Sequence, residues 1–190
     1  GAGDGEITRR LAQALVNLNA NISLSVFASE SSYIMKDRLR EKNFIVINQI
    51  RELENVHLIS CLNVLDRCVD PRSLLADIHA ALHPKGRVLL ALVLPYNHYV
   101  ERSELHILNE NFILFINMFV GSSHMPLEPL LPHWPNKSLP FNEEINTFFQ
   151  QIEFMGFRIE SFSKAAYLCE GDLRQSFYWL IDVLVVLSKV

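Results

Sequence analysis

Three cysteines, Cys61, Cys68 and Cys169, are all that this sequence contains. So sparse and odd a set excludes a disulfide scaffold; Cys61, inside an apolar run, reads as a small core residue. Positive charge is not in excess either. The 17 Lys and Arg stand against 21 Asp and Glu, a net charge of −4. No Lys/Arg run breaks that balance, so nucleic acid and anionic membrane surfaces are not expected partners. No apolar run approaches the ~18–20 residues needed to cross a bilayer. The longest, at 112–120 and 88–94, are far shorter, so no membrane span is expected in this sequence. No signal peptide opens it. H-E-x-x-H, G-x-S-x-G and internal repeats are also missing. His79 and His83 stand four apart, a zinc-compatible spacing, but no third ligand accompanies them. No metal is expected, and both read as surface histidines.

What remains is an ordinary globular composition, 49% apolar and 20% charged in 190 residues. It fits one domain, 1–190, with a sizeable core, and the chain is read as a monomer. Two sequons, at Asn21 and Asn136, matter only in a secretory setting.

Periodicity gives an alternating pattern. Ile7, Leu11, Ala14 and Leu15 have helical spacing over 6–16. Residues 22–28 read as a strand, 31–42 as a helix, 44–47 as a strand, and 56–62 as a strand apolar enough to be covered on both faces. Asp70 and Pro71 open a helix as cap and first-turn residue, with Leu74, Leu75, Ile78, Ala81 and Leu82 as its buried stripe. That helix stops before Pro84 and Gly86, and 87–94 is a strand ended by Pro95. Residues 96–140, carrying five more prolines, read as an irregular insertion or lid with a short helix near 104–119. A helix over 143–155 and strands at 157–162 and 177–187 complete the chain. This is an α/β fold with a mostly parallel sheet and one antiparallel strand near its edge.

Glycine is scarce, seven residues in all, yet Gly1, Gly3 and Gly5 open the chain directly before a helix. Glycines let backbone turn sharply and approach a ligand without an intervening Cβ. A loop of this kind serves a dinucleotide or S-adenosylmethionine. Glu6 stands where the dinucleotide form wants its third glycine region, and Asp4 would repel a pyrophosphate but suit a sulfonium and an amino group. Glu30, after the strand read at 22–28, is placed to accept ribose hydroxyls. Asn63 and Asp66 follow the strand at 56–62, where carboxyl ends of parallel strands line a ligand crevice. Tyr167 opens a polar segment, 167–172, read as a turn between the last two strands. A turn acid or an ion pair with Arg67 is the plain alternative for Asp66.

Taken in order, these segments resemble the DREV-type methyltransferase-like family, protein-histidine N-pros-methyltransferases. The likeness is carried by Gly1 to Glu6, by 28–31, by Ile59-Ser60-Cys61-Leu62-Asn63-Val64-Leu65-Asp66-Arg67-Cys68, by 86–95 with Tyr99, Val100 and Glu101, and by Tyr167-Leu168-Cys169-Glu170-Gly171-Asp172. It implies a Rossmann-like class I fold and methyl transfer from S-adenosylmethionine, with S-adenosylhomocysteine as product. The implied substrates are proteins or peptides with His-x-His sequences, methylated on the pros nitrogen. Cofactor contacts fall on Gly1, Gly3, Asp4, Glu30, Asn63 and Tyr167, with Asn48 and Gln49 near adenine. Asp66 and Asn63 are the expected catalytic residues. The likeness further implies an intracellular setting, with endoplasmic-reticulum or mitochondrial association. Two departures stand out. The strand that leads into the glycine loop is not in this sequence and is expected upstream, and 102–140 does not follow the family pattern. A methyltransferase acting on a small molecule or another side chain, or a non-catalytic binding domain, are the competing readings.

Overall fold

The computed structural model of the chain describes residues 1–98, 100, 126–131, 139–170 and 175–190. Its helices are α1 (Glu6–Leu18), α2 (Tyr33–Glu41), α3 (Pro71–Ala81) and α4 (Phe141–Phe154), and its strands β1 (Phe27–Ser29), β2 (Ile45–Ile47), β3 (Val56–Leu62), β4 (Leu82–Leu94), β5 (Phe157–Glu170) and β6 (Phe177–Lys189). The insertion's expected helix near 104–119 lies outside the described residues.

The helix ends follow local chemistry. Ser32 caps α2 through Met35 N–H, and Asp70 caps α3 by accepting from Ser73 N–H at 2.9 Å, with Pro71 in the first turn. Such a cap satisfies an amide that the helix itself leaves without a partner. Asn43, Asn55 and Asn63 all take positive φ; asparagine tolerates that region better than most side chains.

Strand pairing divides the described strands into two sheets. β1 and β2 pair in parallel, and a second sheet runs β3-β4-β6-β5. β3 and β4 are parallel; β6 is antiparallel to both its neighbours. One reversed strand therefore sits next to the edge, as the sequence implied. β1 and β3 each keep one edge without a strand neighbour among the described residues. Their carboxyl ends nevertheless meet at Gly1, where an added Cβ would stand 3.7 Å from Glu30 Oε2 and 3.6 Å from Val64 Cγ2.

The core lies on one face of the four-stranded sheet. Val88, Leu90, Leu92 and Leu94 of β4 share it with Val183, Val185 and Leu187 of β6, and Leu75, Ile78, Ile145, Phe148 and Ile152 of α3 and α4 close over them. Burial of this apolar surface is the main force holding the layers. Arg72 donates to Gln151 Oε1 at 3.0 Å and His79 Nε2 lies 3.1 Å from Gly156 O, tying the two helices side by side.

Several expectations need correction. The strand expected at 22–28 is confined to Phe27–Ser29, because β2 offers only three partner residues. β4 begins at Leu82, not 87: Val56 pairs with Leu82 across an irregularity, so extended backbone passes through Pro84 and Gly86. β5 reaches Glu170, far beyond 162, since β6 supplies partners along its whole length. β3 is covered on one face only among the described residues, with Ile59 and Cys61 buried and Leu58 exposed. The apolar stripe of α1 is likewise uncovered, with no buried residue.

One acid is built into this core. Glu144 of α4 is 3% exposed, and its Oε1 accepts the backbone N–H of Tyr96, which follows β4. Burial pushes its carboxyl above the ordinary 4.5, against the pull of that N–H. A raised acid stabilises the fold below its unfolded value and loses that contribution as pH climbs through the folded value. Glu144→Gln is therefore expected to raise Tm at pH 8 by roughly 2–4 °C, the equivalent of about 1 kcal/mol. The gain should shrink toward zero near pH 4, read by thermal melts across that range.

Candidate functional site

Every candidate residue except Tyr167 lies in a turn that follows a parallel strand or opens the chain beside one. Ala2 N–H donates to Ser29 O at 3.0 Å, laying the glycine loop against the end of β1. Gly3 N–H donates to Glu30 Oε2 at 2.8 Å. Glu30 Oε1 accepts the N–H groups of Ser31 and Ser32 at 2.8 and 3.2 Å. Burial alone would raise this carboxyl, but the N–H groups of Gly3, Ser32 and Ser31 hold it below its ordinary value. It stays an anion, and Oε2 keeps acceptor capacity for a ligand hydroxyl.

The loop's glycines differ in what they do. At Gly5, φ is +80 and an added Cβ would lie 2.6 Å from Phe44 Cε2 and 2.7 Å from Leu39 Cδ2. That glycine lets the start of α1 pass close to Leu39 of α2 and to Phe44, just before β2. At Gly3, φ is +55 and a Cβ would meet nothing within 4 Å. That glycine borders open space beside Glu30, as a loop cradling a ligand requires.

Asp4 is not turned toward that space. Its Oδ1 accepts Glu6 N–H, and Lys42 Nζ reaches both its carbonyl, at 2.8 Å, and its Oδ2, at 3.0 Å. Its contacts make it a brace for the loop, since a lysine and a helix-start amide both lie within reach. Asn48 is held differently, its carbonyl accepting Ser29 Oγ at 3.2 Å beyond the end of β2. The same turn uses Gln49 N–H to donate to Glu52 Oε1.

Asn63 closes β3 with φ 53, its N–H bonded to Ala91 O at 3.0 Å. Val64 O then accepts the N–H groups of both Arg67 and Cys68, which makes a tight turn around the fully buried Leu65. The turn leaves Asp66 9% exposed, with Oδ2 3.8 Å from Arg67 Nε. The anticipated ion pair thus exists at long range. Tyr96 crosses over this turn and donates its hydroxyl to Leu65 O at 3.3 Å. Burial, followed by the charge of Asp66, pushes its phenol above the ordinary range.

Tyr167 is a strand residue of β5, not part of a turn, because β5 and β6 pair from Glu170–Phe177 onward. It pairs with Leu180 and so shares a face with Asp182, two residues on. Burial raises its phenol as well, with the charges of Asp182 and Asp66 among the lesser causes. The remaining segment, 171–174, lies outside the described residues.

Sequence reading missed Asp182. It is a carboxylate 6% exposed in an otherwise apolar strand, and Asn63 Nδ2 donates to its Oδ2 at 2.9 Å. The signal was a lone acid within the run Phe177 to Leu187. It also missed Tyr96, Glu144 and the buried His98, whose Nε2 lies 3.3 Å from Leu131 O. A cleft of about 230 Å³ opens beside Tyr96, between Leu94 and Pro95, Phe141 and Glu144 of α4, and Lys164 of β5. The histidine pair does not converge. His79 faces Gly156 and Phe157, while His83 stacks on His57 at 4.6 Å. Among the described residues no three His, Cys, Asp or Glu gather as a metal site, and no helix is long and apolar enough to cross a membrane.

These features fit an S-adenosyl nucleoside: a glycine cradle with room at Gly3, an anionic Glu30 beside it, and buried acceptor oxygens at Asn63 and Asp182. Solved structures share the architecture. A TehB-like S-adenosylmethionine-dependent methyltransferase from Corynebacterium glutamicum matches with a TM-score of 0.53 at 14% identity, over 100% of this chain and 77% of that one. A protein described by the conversion of a disulfide bond into a thioacetal group in echinomycin biosynthesis matches at 0.55 and 11%, over 100% and 73%. LepI in complex with S-adenosylmethionine matches at 0.51 and 10%, over 100% and 42%.

The two glycines separate folding from binding. Gly5→Ala combines left-handed strain with a clash, and should lower Tm by roughly 5 °C or more. Gly3→Ala carries strain alone, about 1 kcal/mol or roughly 2–4 °C. Its methyl enters the open space, so S-adenosylhomocysteine affinity should fall more than tenfold by calorimetry.

The sequence itself matches one family from end to end, over residues 1–189. On that match the chain belongs to the DREV methyltransferase family, S-adenosylmethionine-dependent enzymes of the Rossmann-like class I fold.

Proposed function

We propose that this chain methylates protein histidine on the pros nitrogen, within His-x-His sequences. The observation that carries the reading is Asp66: a carboxylate almost fully buried in the turn after β3, two residues beyond the one that borders Gly1. The likeness of the Asn63–Cys68 and Tyr167–Asp172 segments to the histidine methyltransferases supports it.

S-Adenosylmethionine supplies an electrophilic methyl group when bound. The protein's task is to present the right nitrogen of a neutral imidazole. Attack by the pros nitrogen needs its lone pair, so the proton must sit on the tele nitrogen. Asp66 would accept that N–H, select the tautomer, and stabilise the positive charge that grows on the ring. Asn63, Tyr96 and Leu65 hold the turn, so the carboxylate is oriented before substrate arrives.

Asp66→Asn is expected to lose roughly 100-fold or more in turnover on a His-x-His peptide. S-Adenosylhomocysteine affinity should stay near the wild-type value. Mass spectrometry that locates the methyl group on the ring reads the result. Methylation of control peptides without histidine, or wild-type turnover by the Asn variant, contradicts the assignment.

A further inference from the structure

We propose that Asn63 and Asp182 together form a receptor for the α-ammonium group of the methyl donor's amino-acid part. This rests on the use of S-adenosylmethionine and assigns Asp182, which neither the family likeness nor the sequence pattern singled out.

The argument starts from donors and acceptors. Asn63 Nδ2 donates to Asp182 Oδ2 at 2.9 Å, which joins the two side chains. Asn63 Oδ1 and Asp182 Oδ1 are both buried and have no hydrogen-bond partner. Buried polar atoms left in this state are uncommon in native proteins, and here two belong to one bonded pair. An anion buried with a single donor for company calls for positive charge and further N–H groups. Burial pushes the Asp182 carboxyl above its ordinary range, with only the Asn63 amide opposing it.

The donor count selects the ligand. A primary ammonium offers three N–H donors and no acceptor. It can serve both open oxygens and neutralise the carboxylate. An imidazole with one N–H serves one of them, and an approaching carboxylate is repelled.

Position agrees. Asp182 pairs with Val93 and with Ala165, on the sheet face opposite the packed core and shared with Tyr167. Asn63 is the neighbour of Val64, whose methyl group borders Gly1. Glu30 meets the loop at Gly3, and Asn63 directly precedes Val64, which borders the loop's first residue, so the nucleoside and amino-acid ends of one ligand each have an anchor.

The test compares S-adenosylhomocysteine with 5′-methylthioadenosine, which has the nucleoside but no amino-acid part, by calorimetry on wild type and Asp182→Asn. Asp182→Asn should weaken S-adenosylhomocysteine by about 10- to 100-fold, the effect of losing a charge-assisted bond, and leave 5′-methylthioadenosine within about twofold. Equal affinities in wild type and variant, or an equal loss for both ligands, overturn the receptor. If wild type binds neither ligand, the cofactor assignment falls and the receptor falls with it. Should Asp182→Asn not fold, Asn63→Gly reads the same ratio, since glycine suits φ 53. Retained selectivity there overturns the proposal too.

Discussion

The Glu30 carboxylate is the contact on which the site depends. It takes N–H groups from both sides: Gly3 from the loop, Ser31 and Ser32 from its own turn. A carboxylate in that position makes the glycine loop and the end of β1 a single unit. Gly3 contributes no side chain, and the Ala2–Ser29 backbone bond adds a second tie between the loop and the end of β1. Lys42 secures the outer side through Asp4. The loop is thus held in one conformation by its own bonds to Glu30, Ser29 and Lys42, before any ligand contributes.

The second constraint is the division between sheet faces. One face of β3, β4 and β6 is packed by α3 and α4 and supplies the stability. The other carries Asp182 and Tyr167, with Asn63 at its border. Strand alternation is what allows Val183 to lie in the core while Asp182, one residue earlier, serves the opposite face. The polar pair is therefore held directly on the strands that form the close-packed core. Rigid placement of polar groups is what a methyl-transfer site requires, since positioning supplies much of the rate.

Much of this could be read from the sequence. The glycine loop, Glu30, and the Asn63–Asp66 turn were legible because special backbone positions and polar residues at strand ends leave local marks. Helix α3 was legible from its Asp70 cap and the spacing of Leu75 and Ile78, and α4 from the spacing of Ile145, Phe148 and Ile152. Strand lengths were not. β1 is short because its partner is short, and β5 is long because β6 is long; pairing partners distant in sequence decide both. The Lys42 contact of Asp4 and the strand position of Tyr167 were not legible for a related reason: Lys42 and β6 approach them only in three dimensions. Asp182 was overlooked because its neighbours in sequence are apolar, and its meaning lies in Asn63, 119 residues away.

The central claim is that the Glu30-anchored loop is where the methyl donor binds. It is tested most directly by calorimetric titration of S-adenosylhomocysteine into wild type and Glu30→Gln. An amide in that place keeps one acceptor oxygen and turns its NH₂ toward N–H donors of either the loop or the Ser31–Ser32 turn, so the anchor that loop and ligand share loses its charge and one of its acceptors. The account predicts clear binding by wild type and a loss of about tenfold or more in the variant, with the melting curve still cooperative. Equal affinity in the two proteins would contradict it.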